Sequence, residues 1–487
     1  MRKVAVSFAA TVLVVLLSLG VSSSMSGEAK ALTAKPNFVF ILTDDMRKDD
    51  LKYMPKTKEQ LKDTGMTFQN AFVSNALCCP ARATIMRGQY SHNNKVWTNE
   101  NADDPGAGWH AYHDQGDEQD NVATRLQAAG YSTGLFGKYL NGYKGTTEIP
   151  PGWDRWFATW GDYFNYDAND DGTLKHFGNS ESDYRTDVIK RKTKEFIDQS
   201  ATQGKPFFAY VTPKAPHPPA TPAPRDLHTY DGLKAPRWPA FNEADVSDKP
   251  SWISQLPRLN ANAKARIDSR AENRAESLQA VDDLVEEVVG KLENTGAMSN
   301  TYVFFTSDNG FHHGEHRITD GKARPYEEDI RMPLLVRGPG VAAGSTTSKL
   351  TLNTDYVPTF TDLACSLSSP CDSQVTQNWT YVPDGRSLRP VLEGNVTAWR
   401  SAILLEAHKT PEGGGTPAYY GIRTTDKKYI EYEGGARELY DLKADPYELT
   451  NMYKVTPPSA ALVSQLQALK NCKYNGAVTC QAAEEGQ

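Results

Sequence analysis

After residues 4–19, this 487-residue chain has no apolar run near the about 20 residues that a membrane-spanning helix needs, so no stable membrane insertion is expected of the remainder. It also lacks a basic surplus. With 53 Lys and Arg against 60 Asp and Glu, the formal charge is −7, which argues against a nucleic acid or other general polyanion as partner. A small anionic substrate stays open, because a few converging cations set that affinity. No internal repeat is present. Zinc is poorly supplied: His312, His313 and His316 have no Glu between two correctly spaced His and no third ligand, so they are expected at the surface or behind other site residues. Asp167 to Asp171 starts like a calcium loop, but its twelfth position is Gly178 and not Glu, so the segment reads as a polar hairpin turn.

Cysteine is scarce: six residues, in the close pairs 78/79, 365/371 and 472/480. Arg2 and Lys3 precede the apolar stretch Val4 to Leu19, and Ala29-Lys30-Ala31 offers small residues for cleavage. Residues 1–31 therefore read as a signal peptide, and the mature protein as secreted into an extracellular, periplasmic or lysosomal compartment. In such surroundings Cys365–Cys371 and Cys472–Cys480 read as short-loop disulfides. Cys78 and Cys79 do not, because adjacent residues hold their side chains badly for a bridge. Two unpaired thiols in an exported chain need another explanation.

Three short apolar runs read as strands buried on both faces: Pro36 to Leu42, Phe207 to Val211, and Thr301 to Thr306. Leu278, Val281, Leu284, Val288 and Leu292 recur at three and four residues, predicting an amphipathic helix from about Arg270 to Leu292. This alternation predicts an α/β fold with a mainly parallel sheet, whose ligands sit beyond the carboxyl ends of the strands. A large unit over residues 35–397 and a smaller one over 398–487 are expected. In the latter, residues 418–442 alternate like an antiparallel meander, and Ser459 to Leu469 reads as one closing helix. Residues 212–262, rich in Pro and polar side chains, are expected to wall the active-site mouth, and 411–417 reads as a loop.

Two acidic strand ends, Asp44-Asp45 and Asp308-Asn309, make an all-oxygen donor set suited to Ca²⁺, or less well Mg²⁺. Lys138 and Lys322 each lie in loops near strand ends, and His217 is flanked by prolines, which favours it as a fixed acid. Trp97, Trp109, Trp153, Trp156 and Trp160 read mostly as core, with stacking on a sugar or aryl ring as the other use.

The stretch Cys78-Cys79-Pro80-Ala81-Arg82 resembles the Cys-x-Pro-Ser/Ala-Arg signature of type I sulfatases, whose first cysteine is oxidised to formylglycine by a dedicated enzyme. The ordered series Asp44-Asp45, Gly137-Lys138, Pro216-His217, Ser307-Asp308-Asn309-Gly310, Lys322 and Glu438-Leu439-Tyr440-Asp441-Leu442 carries the resemblance across the chain. Gly137-Lys138-Tyr139-Leu140-Asn141 and Tyr326 to Gly340 extend it towards N-acetylglucosamine-6-sulfatases and bacterial arylsulfatases.

The resemblance implies an alkaline-phosphatase-like sandwich with a small C-terminal antiparallel sheet and one helix. It implies hydrolysis of a sulfate monoester of a sugar, such as N-acetylglucosamine 6-sulfate, or of an aryl alcohol. Asp44, Asp45, Asp308, Asn309 and modified Cys78 would hold the cation. One hydroxyl of the hydrated aldehyde would attack sulfur, and the other would lose a proton to expel sulfate. Arg82 would stabilise the ionised diol, Lys138 and Lys322 the sulfate oxygens, and His217 would protonate the leaving alcohol.

Two positions depart from the family. Leu140 stands where many members have a histidine that helps deprotonate the second hydroxyl, with Asn141, His92 or water as replacements. Arg87 stands where Thr is usual before the closing glycine of the modification motif. The competing readings are a phosphomonoester, diester or phosphonate hydrolase of the wider superfamily, and a non-catalytic sulfated-glycan binder.

Overall fold

The computed structural model describes residues 1, 34–99, 107–365, 380–473 and 479–486. The expected leader and Cys371 of the expected Cys365–Cys371 pair lie outside the described residues.

The apolar run after Pro36 forms the strand Asn37–Thr43, buried at every position. It lies between Thr301–Ser307 and Phe207–Thr212, parallel to both. These are the three expected runs, now adjacent at the centre of one sheet. Outward from Thr301–Ser307 come Leu334–Arg337, Met66–Phe68 and Ser345–Thr347. Outward from Phe207–Thr212 come Ser132–Gly137, Arg155–Trp160, Tyr166–Asp170 and Thr173–Phe177. Strands from Thr301–Ser307 to Arg155–Trp160 are parallel, and antiparallel pairs flank them, so the sheet is mixed. Of the Asp167 to Asp171 segment, read as a hairpin turn, Asp167 to Asp170 lie in the strand Tyr166–Asp170, and Asp171 with Gly172 makes the turn into Thr173–Phe177.

Period-two alternation sends Phe38, Phe40 and Leu42 into one core and Val39 and Ile41 into the other. Each such side chain, fully buried, contributes about 1.5–3 kcal/mol. The first core is covered by the helices Cys78–Arg87, Val122–Ala128 and Tyr356–Ala364, and the second by Arg185–Gln203 and Ala261–Asn294. The last begins nine residues before the position its apolar stripe predicts, where Asn260 caps Ala263.

The C-terminal sheet runs Ala402–Ala407, Tyr419–Thr424, Lys427–Tyr432, Arg437–Asp441, all antiparallel. Two helices close it, Ala460–Asn471 and Cys480–Glu485, where one was expected; the second is only 6 residues long and carries little periodicity to read. The Cys472–Cys480 disulfide links them. Arg400 ties this unit to the larger one, donating to Asp355 at 2.8 Å and meeting Glu484 at 2.9 Å. Glu438 does the same nearer the site, accepting from the hydroxyls of Tyr326 (2.8 Å) and Tyr440 (2.7 Å). Tyr326 lies four residues after Lys322. No helix among the described residues is long and apolar enough to cross a membrane.

Candidate active site

Thr43 and Ser307 are register partners at the ends of parallel strands, so the acidic residues that follow them emerge side by side. Asp308 N donates to the Thr43 carbonyl at 3.1 Å, and Asp308 Oδ1 accepts from Asp45 N at 3.0 Å. Asp45 is held in the left-handed region (φ 66°), which turns its carboxyl back towards Asn309. Asn309 Nδ2 donates to Asp45 Oδ1 at 2.7 Å. Gly310 is required here, since a Cβ would meet the Glu328 carbonyl at 1.9 Å. Behind the pair, Arg274 of the long helix donates to the Asp45 carbonyl (2.6 Å), Asp50 (2.8 Å) and the Pro216 carbonyl (3.1 Å). It thus fixes Asp45 and the His217 loop together.

Cys78 opens the Cys78–Arg87 helix, and its sulfur occupies the place that a modified side chain would take. Sγ lies 3.3 Å from Asp44 Oδ1, 3.7 Å from Asp45 Oδ1 and 2.8 Å from Lys322 Nζ. Lys322 also pairs with Asp45, and Lys138 Nζ donates to Asp44 Oδ2 at 2.6 Å. Lys138 follows Gly137, whose backbone approaches Thr212 so closely that a Cβ would sit 2.1 Å from the Thr212 carbonyl. One turn into the helix, Arg82 donates from Nε to Asp308 Oδ2 at 2.8 Å and from Nη1 to the Lys138 carbonyl at 2.9 Å. His217 faces the same space, with Nε2 3.8 Å from Asp45 Oδ2. Its Nδ1 lies 2.6 Å from the Pro218 carbonyl, which can only accept, so Nδ1 carries the proton and Nε2 presents a lone pair.

Burial, helped by Asp44 and opposed by Lys138 and Lys322, pushes the Cys78 thiol well above its ordinary range. As a thiol it is a poor nucleophile at neutral pH. Burial also pushes Asp44 up, but Lys138 and its other cationic neighbours outweigh it and hold the carboxyl well below the usual range. Burial lowers His217 to about 4 against the pull of Asp44 and Asp45.

The oxygen set fits a hard divalent cation. Carboxylate oxygens of Asp44, Asp45 and Asp308 and the Cys78 sulfur all lie within 4.8 Å of one another. Asp45 Oδ2 and Asn309 Oδ1 are buried without a hydrogen-bond partner, two acceptors that a cation would satisfy.

All the expected site residues therefore converge, while several neighbours come out differently. Of the two places expected for His312, His313 and His316, the surface is not the one taken: all are buried, with His312 against Asp329 (2.7 Å) and His316 against Glu243 (2.6 Å). His92 is not available at position 140, because its ring bridges Glu406 (2.9 Å) and the Cys472 carbonyl (3.0 Å). Leu140 is buried, and Asn141 lines the cavity beside His217. Trp109, Trp153 and Trp156 are core; Trp97 stacks on His408, and Trp160 lines the cavity.

Arg274 and Glu412 escaped the sequence reading. Arg274 had a signal, a cation on the apolar stripe between Ala271 and Leu278. Glu412 had none: it lies in the segment read as a plain loop, yet it accepts from Asn99 at 3.0 Å, and Asn99 in turn accepts from Cys79 N at 2.9 Å. Of the Pro-rich segment 212–262, His217 and Pro218 do wall the mouth, while Phe241 and Glu243 pack beneath it.

Comparisons with known proteins agree with this arrangement. The Sulfatase family matches residues 36–366, and the family described as N-sulphoglucosamine sulphohydrolase, C-terminal, matches residues 314–473. A human N-acetylglucosamine-6-sulfatase is 34% identical over 94% of this chain and 88% of its own length. An N-acetylglucosamine-6-O-sulfatase of Bacteroides thetaiotaomicron is 30% identical over 91% of this chain and 87% of its own. A solved structure in complex with D-glucosamine-2-N,6-O-disulfate as its substrate superposes with TM-score 0.73 at 26% identity, covering 90% of this chain and 97% of that one. Its sheet edge, its ordered motifs and identity spread along nearly its whole length make this chain a member of the sulfatase family, a sulfuric ester hydrolase with an alkaline-phosphatase-like fold.

Proposed function

We propose that this sulfatase removes the 6-O-sulfate of an N-acetylglucosamine-type sugar after Cys78 has been converted to formylglycine, and that it is secreted. The position of Cys78 carries the reading: its sulfur is 2.8 Å from Lys322 and 3.3 Å from Asp44, buried behind the polar cavity that Lys322 and Asp45 line. The 6-O-sulfatase relatives support the sugar, and the leader-like N-terminus supports export.

Asp44, Asp45, Asp308 and Asn309 would hold calcium, whose tolerance of many oxygen ligands suits this set better than magnesium does. Bound there, it would lower the pKa of a neighbouring hydroxyl and polarise the ester. Formylglycine, once hydrated, supplies two hydroxyls at position 78, one to attack and one to release the product.

The remaining work falls to the chain's own side chains. Lys138 and Lys322 meet the sulfate oxygens from either side of position 78, in a water-poor setting that strengthens each contact. Arg82, fixed by Asp308 and the Lys138 carbonyl, keeps the carboxylate cluster compact. His217 presents the Nε2 lone pair to the same space, so it would first take up there the proton lost by the attacking hydroxyl and then give it to the leaving oxygen. With Leu140 apolar and His92 elsewhere, His217 and Asn141 are among the polar groups that line the cavity beside Lys138.

A panel of N-acetylglucosamine 6-sulfate, 3- and 4-O-sulfated sugars, an aryl sulfate and an aryl phosphate tests the proposal, together with mass spectrometry of the Cys78 peptide. Preferential cleavage of the 6-O-sulfate by formylglycine-bearing protein is expected. Preference for the phosphate, or full activity with Cys78 unmodified, would overturn it.

A further inference from the structure

Glu412 places a carboxylate at the mouth of a site that an anionic substrate must enter. It lies on the turn Pro411–Gly413 of the C-terminal unit, and local hydrogen bonds give that turn one shape. Thr410 Oγ1 accepts from Gly413 N at 3.3 Å, Thr416 Oγ1 donates to the Gly413 carbonyl at 2.7 Å, and Gly414 is left-handed (φ 58°). The turn is docked on the loop that carries Lys322. The Glu412 carbonyl accepts from Lys322 N at 3.3 Å, and glycine at 321 permits the approach, since a Cβ there would lie 2.7 Å from the same oxygen.

The carboxyl has one partner among the described residues: Asn99 Nδ2 donates to its Oε1 at 3.0 Å, and Asn99 Oδ1 accepts from Cys79 N at 2.9 Å. Glu412 therefore stands two hydrogen bonds from the backbone beside the reacting position. It shares a cavity of about 370 Å³ with Asp45, Asp320, Arg270, Lys322 and His217. Within that cavity Asp45 is paired with Lys322, and Asp320 with Arg270 at 3.0 Å. Glu412 meets no cation among the described residues, and its Oε2 accepts no hydrogen bond among them. A carboxylate can only accept, so what satisfies it is a hydroxyl or an amide N–H, and a second anion brought against it is repelled.

We infer that Glu412 is a specificity-determining residue: its Oε2 accepts a hydrogen bond from a hydroxyl or amide N–H of the leaving sugar, and its charge turns away a sugar that bears an anion at that position. The inference rests on the sugar-sulfatase reading above. A sulfate ester already carries negative charge past Glu412, which raises the cost of binding any substrate. A donor on the sugar ring offsets that cost, whereas an aryl ring without a donor leaves it standing.

Glu412→Gln tests this, because Gln keeps an acceptor for Asn99 and removes the charge alone. Rates per formylglycine are compared for N-acetylglucosamine 6-sulfate, its 3,6- and 4,6-di-O-sulfates, and 4-nitrophenyl sulfate. In wild type, kcat/KM for the monosulfate should exceed that for the poorer disulfate by about tenfold, as like-charge contact requires. The variant should lose about five- to tenfold on the monosulfate relative to the aryl sulfate, the difference between a charged and a neutral acceptor, and its monosulfate-to-disulfate ratio should narrow. Raising the salt should narrow that ratio in wild type, a readout that does not depend on how the variant folds. Equal losses on the sugar and the aryl sulfate would mean that Glu412 acts through Asn99 on the backbone at residue 79, and would overturn the inference. Ratios unchanged by the substitution, or a wild-type ratio indifferent to salt, would overturn it as well. Cleavage of the aryl sulfate with no cleavage of any sugar would overturn the sugar reading and the inference with it.

Discussion

Arg82→Met separates the electrostatics of the carboxylate cluster from its packing, since Met fills much of the same volume without the charge. Arg82 is fully buried, 2.8 Å from Asp308 and 3.7 Å from Asp44. Removing one partner of such a pair leaves uncompensated charge in the interior and costs about 3–5 kcal/mol. With about 2.1 cal/mol/K of unfolding entropy per residue, a chain of this size shifts its Tm by about 1 °C per kcal/mol, so a loss of about 3–5 °C is expected. The assay is thermal unfolding of both proteins, once in chelator and once with saturating calcium. In chelator the full loss should appear. With calcium it should fall by more than half, because the cation neutralises the two carboxylates that Arg82 left unpaired, and tighter binding itself stabilises the fold. With calcium present, turnover should fall about 10²–10³-fold, as for other losses of an electrostatic group at a reacting centre. Equal midpoints in chelator would refute the assigned electrostatics. A loss of the same size with and without calcium would refute the shared cation site.

Cys78→Ala should abolish turnover and Cys79→Ala should keep most of it, both folded by circular dichroism; the reverse ranking would mean that the wrong thiol was assigned. Glu484 offers a test of pH dependence. Burial, opposed by Arg400 and helped by Asp355, pushes its carboxyl up to about 7. The folded pKa is thus above the unfolded one, so its stabilisation is complete below about 4.5 and is lost as pH rises through about 7, a change of about 3 kcal/mol. In urea unfolding between about pH 5 and about pH 8, wild type should lose more stability than Glu484→Gln, and parallel slopes would refute the assignment.

The strands were legible because their burial is local information. Asn37–Thr43 and Thr301–Ser307 are continuous apolar runs that end in Asp, and a parallel sheet places such ends at one edge. The outer strands Met66–Phe68 and Ser345–Thr347 were not legible, because at 3 residues each they are too short for a pattern. For His312 to His316 the sequence left two places open, at the surface or behind the site, and the partners that go with burial are distant: Asp329 and Glu243 pair with His312 and His316 from 17 and 73 residues away.

By itself the sequence determined which residues were candidates to share one site: a cysteine before a rigid proline and an arginine, two acidic strand ends, two lysines and a proline-flanked histidine. Such motifs survive in one dimension because each is a few contiguous residues with a local conformational demand. Tertiary structure alone decided what surrounds them. Lys322 reaches Asp45 and Cys78 across 277 and 244 residues, and Arg274 braces Asp45 across 229. The two unsatisfied oxygens likewise come from side chains brought together by sheet register and helix packing. Charge and hydrogen bonding act over ångströms, and no spacing along the chain encodes those distances.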